Sequence, residues 1–192
     1  MKNNTILFIS ITSDIGIALA NKYTKEGYNI VGTYRSEKNL DKLIGIPVDH
    51  LFFCDITDKQ SISKFIEDYS KLDLKWDIII SCPATLEPIR PFFDCNFDDW
   101  EESLHINAIE QFRILHGLYP HRNQSSPSTV ILFAGSGTNN APINFSAYTL
   151  SKIMLIKMCE LLDTENPNLK ITVVGPGWVK TKIHDETIDA GE

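Results

Sequence analysis

Basic clusters, paired cysteines and long apolar runs are all missing from this chain. Its 18 Lys and Arg residues are outnumbered by 25 Asp and Glu, for a net charge of −7, and they gather into no basic face of the kind a nucleic-acid binder needs. Four cysteines, Cys54, Cys82, Cys95 and Cys159, stand far apart with no CxxC pair, which excludes the usual zinc and dithiol signatures. Free thiols are expected, and with them a reducing, cytoplasmic setting. No apolar run approaches the ~18 residues of a membrane span. The longest candidate, Ile6 to Ala20, is interrupted by Ser10, Thr12, Ser13 and Asp14 and lacks the features of a signal peptide. The histidines His50, His105, His116, His121 and His184 show no ligand spacing, so no metal is expected.

What is present is ordinary globular material. Hydrophobic residues make up 43% and charged residues 22% of the 192 positions, which excludes a disordered chain and fits one domain, taken as residues 1–192. Short apolar runs alternate with helix-length amphipathic stretches. Strands are predicted over Thr5–Ile11, Tyr28–Tyr34, Val48–Phe53, Trp76–Ser81, Ser128–Ala134 and Leu169–Val174. Helices are predicted over Asp14–Glu26 (closed by Gly27), Glu37–Ile44, Asp58–Lys71, Phe97–Leu118 and Phe145–Leu162. Leu104, Ala108, Phe112 and Leu115 mark the apolar face of the long helix, and Ala147, Leu150, Met154, Met158 and Leu161 that of the last one. Pro83 to Asn96, with three prolines, reads as a loop. Continuous apolar strands separated by helices imply an α/β doubly wound parallel sheet in the order 3-2-1-4-5-6. Ligands of such sheets bind beyond the carboxyl ends of the strands, at the switch point between the first and fourth.

The most specific motif is Tyr148-Thr-Leu-Ser-Lys152. Residues four apart on a helix share a face. A phenol with a pKa near ~10 is a poor proton shuttle at neutral pH, and a nearby ammonium favours the phenolate and lowers that value. The pair can therefore move a proton at a carbonyl oxygen. Ser136, just past the fifth strand, could donate to the same oxygen; it also reads as a turn serine between two glycines. Asn107 is a poor helix former inside the long helix, either placed for a purpose or merely tolerated.

Taken together, Leu104-His-Ile-Asn107, Ala134-Gly-Ser136, Tyr148-x-x-x-Lys152 and Gly175-Pro-Gly-Trp-Val-Lys-Thr181 resemble, in order and spacing, the short-chain dehydrogenase/reductase family, from Ile6 to about Thr181. The resemblance implies a Rossmann fold and a tetrad of Asn107, Ser136, Tyr148 and Lys152. In that family Tyr148 would be the proton donor, and Ser136 would orient the substrate carbonyl. Lys152 would hold the nicotinamide ribose and lower the Tyr148 pKa, while Asn107 would position a relay water.

By the same resemblance the cofactor would touch Ser10, Thr12, Ser13, Asp14, Ile15 and Gly16, where the family's GxxxGxG turn reads Ser10-Ile-Thr-Ser-Asp14-Ile-Gly16. Only the third glycine is kept, and Asp14 is also a good helix cap. Further contacts would come from Arg35 and Ser36, from Asp55 and Ile56, from Ser81 and Cys82 (Ser81-Cys82-Pro83-Ala84 replaces Asn-Asn-Ala-Gly), from Tyr148 and Lys152, and from Pro176, Gly177, Val179 and Thr181. No acidic residue ends the second strand. Arg35 can instead pair with a 2′-phosphate, so NADP is expected over NAD, unless Arg35 is simply solvated. Asp55 also reads as part of a helix start, and Trp178 and Phe93 as pocket or core.

The expected function is NADP-dependent interconversion of a small-molecule carbonyl and a secondary alcohol, with Tyr148 as general acid/base. The alternative is a non-catalytic dinucleotide-sensing or scaffold protein on the same fold, suggested by the two altered cofactor loops. Lys182 to Glu192 is polar, so no seventh strand and a short substrate region are expected. Ile106, Ile109, Ile114 and Leu118, with Ile153, Leu155 and Ile156, suggest a second apolar face on the two long helices and hence a homodimer.

Overall fold

The structure, a computed structural model, describes residues 4–135, 137–177 and 179. Six strands, β1 (Thr5–Ile9), β2 (Asn29–Tyr34), β3 (His50–Phe53), β4 (Ile78–Ser81), β5 (Ser128–Phe133) and β6 (Leu169–Val174), pair in parallel in the order β3-β2-β1-β4-β5-β6. The helices are α1 (Asp14–Lys25), α2 (Lys59–Ser70), α3 (Phe97–Leu104), α4 (Glu110–Leu118) and α5 (Ser146–Glu165). This is the doubly wound sheet that the alternation of strands and helices predicts.

The strand period of two divides the core. Leu7 and Ile9 of β1 join Ile79, Val130 and Ile171 on one face, packed against Ile62 and Phe65 of α2, Ile114 and Leu118 of α4, and Leu155 of α5. Ile6 and Phe8 join Ile30 and Ile80 on the other face, under Ala20 of α1 and Leu43. That second layer ends before β6, whose Lys170, Thr172 and Val174 are exposed. The region expected to lack a seventh strand lies outside the described residues.

Four local expectations are corrected. β1 stops at Ile9 because Ser10 takes a left-handed backbone (φ 61°), although Ile11 N still bonds Thr33 O at 2.9 Å. β4 begins at Ile78, not Trp76; Trp76 is fully buried, with its indole N–H donating to Leu118 O at 2.8 Å. The segment Glu37–Leu43 is a 3₁₀ helix. The long helix is interrupted by a π segment, His105–Ile109, between α3 and α4.

Two helix faces also differ from expectation. Leu150 and Leu161 of α5 are exposed, and the buried face carries Ala147, Tyr148, Ser151, Lys152, Leu155 and Cys159. Ile114, Leu118 and Leu155, expected on a second, outward apolar face, lie in the core.

Candidate active site

The β1–α1 turn is held by its own residues together with Thr33 of β2. Ser13, not Asp14, caps α1, its side chain accepting the Gly16 N–H at 3.0 Å; Asp14 is the first helical residue, where its carboxylate suits the positive end of the helix. Ser10 N donates to Thr33 Oγ1 at 2.9 Å, and Ser13 N to Ser10 O at 3.1 Å. Gly16 has to be glycine here: a Cβ would lie 2.6 Å from Ile11 O, forcing α1 off the turn. Thr12 and Ile15 complete the turn, both partly exposed.

At the end of β2, Arg35 is exposed and makes no ion pair with any described residue, and Ser36 follows it. At the end of β3, Asp55 Oδ1 accepts the Thr57 N–H (3.0 Å) and hydroxyl (2.8 Å), so one carboxylate oxygen shapes the approach to α2. Ile56 is buried. Arg35 and Asp55 thus stand along the rim formed by β2 and β3, apart from the Tyr148–Lys152 pair.

The β4 exit is held from a distance. Asn107, fully buried in the π segment, accepts Thr85 N–H on Oδ1 at 2.9 Å and donates from Nδ2 to Thr85 O at 2.9 Å and Ser103 Oγ at 3.2 Å. Gln111, 4% exposed, bonds Ser81 Oγ and Pro83 O. The Ser81 hydroxyl is therefore turned into the protein interior. Sequence reasoning singled out Asn107 and missed Gln111, Ser103 and Thr85. A signal existed: Ser103, Asn107 and Gln111 recur every fourth residue, an uncharged polar stripe beside the apolar one of Leu104, Ala108 and Leu115.

Tyr148 and Lys152 project from the buried face of α5. The Lys152 ammonium lies 5.3 Å from the Tyr148 ring centroid and donates to Phe133 O at 3.0 Å. Burial pulls the Lys152 ammonium down to about 8, with Cys82 opposing. The Cys82 thiol, on the segment leaving β4, is pushed up to about 12 by burial, against a hydrogen bond with Ser13 and the Lys152 charge. Burial also raises the Tyr148 phenol. That is opposite to the direction expected of a lysine neighbour, because the ammonium is engaged at Phe133 O while the ring is desolvated. The Tyr148 hydroxyl rests on the backbone of Gly135: a Cβ there would lie 2.1 Å from it.

Ser13, Cys82, Lys152, Tyr148 and Gly135 thus meet where β1, β4 and β5 end. Ser136 and Thr181 lie outside the described residues. Pro176, Gly177 (φ 69°) and Val179 are exposed beyond β6.

The sequence matches the family model described as enoyl-(acyl carrier protein) reductase over residues 10–192. The chain belongs to the short-chain dehydrogenase/reductase family. Among curated members it is similar to dehydrogenase/reductase SDR family member 4 of Sus scrofa, 22% identical, covering 94% of this chain and 67% of that protein. It is also similar to dehydrogenase/reductase SDR family protein 7-like of Dictyostelium discoideum, 25% identical, covering 98% and 63%. A short-chain dehydrogenase from Shigella flexneri, solved in complex with NADP, superposes with a TM-score of 0.89 at 18% identity, over 100% of this chain and 84% of that one. The chain is accordingly an oxidoreductase of this family. Among the described residues, no helix is long and apolar enough to cross a membrane.

Proposed function

We propose that the protein uses NADP to interconvert a small-molecule carbonyl and a secondary alcohol, with Tyr148 as general acid/base. The observation that carries this reading is the placement of Tyr148 and Lys152, one helical turn apart on a buried face, at the carboxyl ends of β4 and β5. The described residues fit a dinucleotide. The positive end of α1 lies at the switch point, where the helix dipole favours a pyrophosphate, and Arg35 stands exposed at the end of β2 for a 2′-phosphate. The NADP complex of the Shigella flexneri relative agrees with that choice.

When bound, the nicotinamide supplies or accepts the hydride. The chain's own residues handle the proton. Burial keeps the Tyr148 phenol protonated at neutral pH, the form that donates to a carbonyl oxygen during reduction. Lys152, still mostly an ammonium below about 8, stabilises the phenolate left behind and holds the ribose. Ser136 orients the carbonyl, and Asn107 acts through the Thr85 backbone as well as through a relay water. Ser10, Thr12, Ser13, Asp14, Ile15 and Gly16 form the pyrophosphate turn. Asp55 and Ile56 would contribute on the adenine side, Ser81 and Cys82 through their backbone, and Pro176, Gly177, Val179 and Thr181 on the nicotinamide side.

The protein acts as a homodimer in the cytoplasm. Support for the first is the outward face of α5, where Leu150, Ile153 and Leu161 are 48%, 42% and 49% exposed. An apolar groove beside it is lined by Phe112, Leu115, Tyr119, Met158 and Leu162. Support for the second is that all four cysteines are free. Tyr148→Phe tests the central assignment. NADPH-dependent reduction of a test carbonyl should fall at least ~100-fold with NADPH affinity unchanged. Retained turnover removes Tyr148 from its role, and failure of the wild type to bind either dinucleotide favours a scaffold.

A further inference from the structure

The Gln111 side chain makes more interior hydrogen bonds than any role in shaping its own helix requires. Its Oε1 accepts the Ser81 hydroxyl at 2.8 Å. Its Nε2 lies 3.1 Å from Pro83 O, 3.1 Å from Ile106 O and 2.9 Å from Asn107 O. Only one orientation of the amide works, since the reverse would set an oxygen against three carbonyl oxygens. Two N–H groups serve three acceptors, so the adjacent carbonyls of Ile106 and Asn107 share one of them. The side chain therefore ties the π segment, where helical carbonyls lose their usual partners, to the chain leaving β4.

The β4 exit needs such a tie. Pro83 has no N–H and cannot donate to a neighbouring strand. Its buried carbonyl would be costly to leave unpaired, and Gln111 is the partner it finds. Cys82 N bonds Ile9 O at 3.0 Å, and the Cys82 thiol meets Ser13 and the Lys152 charge. The segment that Gln111 holds is thus one wall of the cleft between β1 and β4, directly against the turn that caps α1.

We propose that Gln111 is a positioning residue for the dinucleotide: by pinning Ser81 and Pro83 to the π segment, it sets the distance of the 81–85 backbone from the β1–α1 turn. It touches no reacting atom and acts through that backbone. This inference rests on the dinucleotide reading above, and it goes beyond it by assigning the cleft width to a side chain outside the cleft.

The test is calorimetric titration of the full chain with NADPH, alongside steady-state kinetics and thermal melts. Gln111→Met keeps the volume and unbranched shape but removes both donors and the acceptor. It should raise the NADPH dissociation constant and KM at least ~10-fold, while kcat at saturating NADPH stays within about threefold. Ser81→Ala frees only Oε1 and should weaken NADPH by about threefold. A folded Gln111→Met protein that melts lower but binds NADPH like the wild type overturns the proposal, as does one whose kcat falls with the dissociation constant unchanged. If Gln111→Met does not fold, Ser81→Ala decides: unchanged NADPH affinity in that variant overturns the proposal. Wild-type protein that binds neither NADPH nor NADH takes down the dinucleotide reading itself, and the proposal with it; wild-type binding with an insensitive Gln111 takes down the proposal alone.

Discussion

The β1–α1 turn and the chain leaving β4 border the same cleft, yet they are held by opposite means. The turn is local. Ser13 caps Gly16, Ser10 O accepts from Ser13 N, and a left-handed Ser10 bends the chain. The β4 exit is held by Asn107 and Gln111, 22 and 28 positions from their loop partners Thr85 and Pro83. A local turn draws on residue types whose preferences show in the sequence. A distant pin draws on buried polar side chains whose partners are known only after folding. The two should also differ in energy, since losing Asn107 unpairs two backbone groups at once, while losing the Ser13 cap unpairs one.

The largest expected effect is therefore at Asn107. Asn107→Ala removes the partner of both the N–H and the C=O of the half-buried Thr85. At about 1–3 kcal/mol per unpaired group, and nearer the lower end for half-buried ones, it should destabilise the fold by roughly 2–3 kcal/mol. Urea unfolding monitored by tryptophan fluorescence measures this; a loss no larger than that of a helix cap would erase the distinction between the two regions.

Lys152 extends the contrast to α5, because its ammonium is held by the distant Phe133 carbonyl. Its folded pKa, about 8, lies below the ordinary lysine value of 10.5. Between those values the unfolded chain binds more protons than the folded one, so this group makes stability rise with pH across that window. The buried thiols act in the opposite sense, since Cys54, Cys82 and Cys159 are each raised to about 12. The contribution of Lys152 is thus read from the difference between wild type and Lys152→Met. Relative to the variant, the wild type should gain at most about 3 kcal/mol from pH 8 to 10.5. Parallel stability profiles for the two proteins would show that the ammonium is not buried in solution.

Against these, Ser13→Ala should cost only about 1 kcal/mol, the ordinary value of an N-cap, because it unpairs a single backbone N–H, that of Gly16. A larger loss would mean that the Ser13 bond to Cys82 also carries weight and that the turn is less local than its hydrogen bonds suggest.

The same contrast decides what could be read before the fold was known. The order of the sheet followed from apolar strands alternating with amphipathic helices. Tyr148 and Lys152 followed from spacing, and Gly16 from the resemblance to the family's turn. The interruption at His105–Ile109 did not, because the periodicity of Phe97–Leu118 is helical throughout and a π turn shifts it by only one residue. The buried face of α5 was misplaced for a related reason: Tyr148, Ser151 and Lys152 are polar, so a search for apolar stripes chose Leu150 and Leu161 instead. Gln111 escaped because its spacing with Ser103 and Asn107 names no partner. Its value lies in Ser81 and Pro83, which the sequence places far away.

The smallest expected effect is the most diagnostic of the local region. Ser10 occupies a left-handed backbone, at a cost of about 1–2 kcal/mol for a residue with a Cβ. Glycine removes that cost but gives the unfolded chain more freedom, a loss of about 0.4–1 kcal/mol. The two terms leave Ser10→Gly more stable by roughly 0.5 kcal/mol, a rise in Tm of about 1–2 °C for a chain of this size. Ser10→Ala is the control, since it removes the hydroxyl and keeps the strain, so it should gain nothing. Calorimetric melts of the three proteins separate the outcomes. If Ser10→Gly melts below the wild type by as much as Ser10→Ala does, the hydroxyl holds the turn and the backbone strain does not matter. If only Ser10→Gly rises, the turn carries a strain that its own six residues could have avoided, and the conformation is dictated by the bonds from Ser10 N to Thr33 Oγ1 and from Ile11 N to Thr33 O. The β1–α1 turn would then owe its shape, like the β4 exit, to a contact from a neighbouring strand.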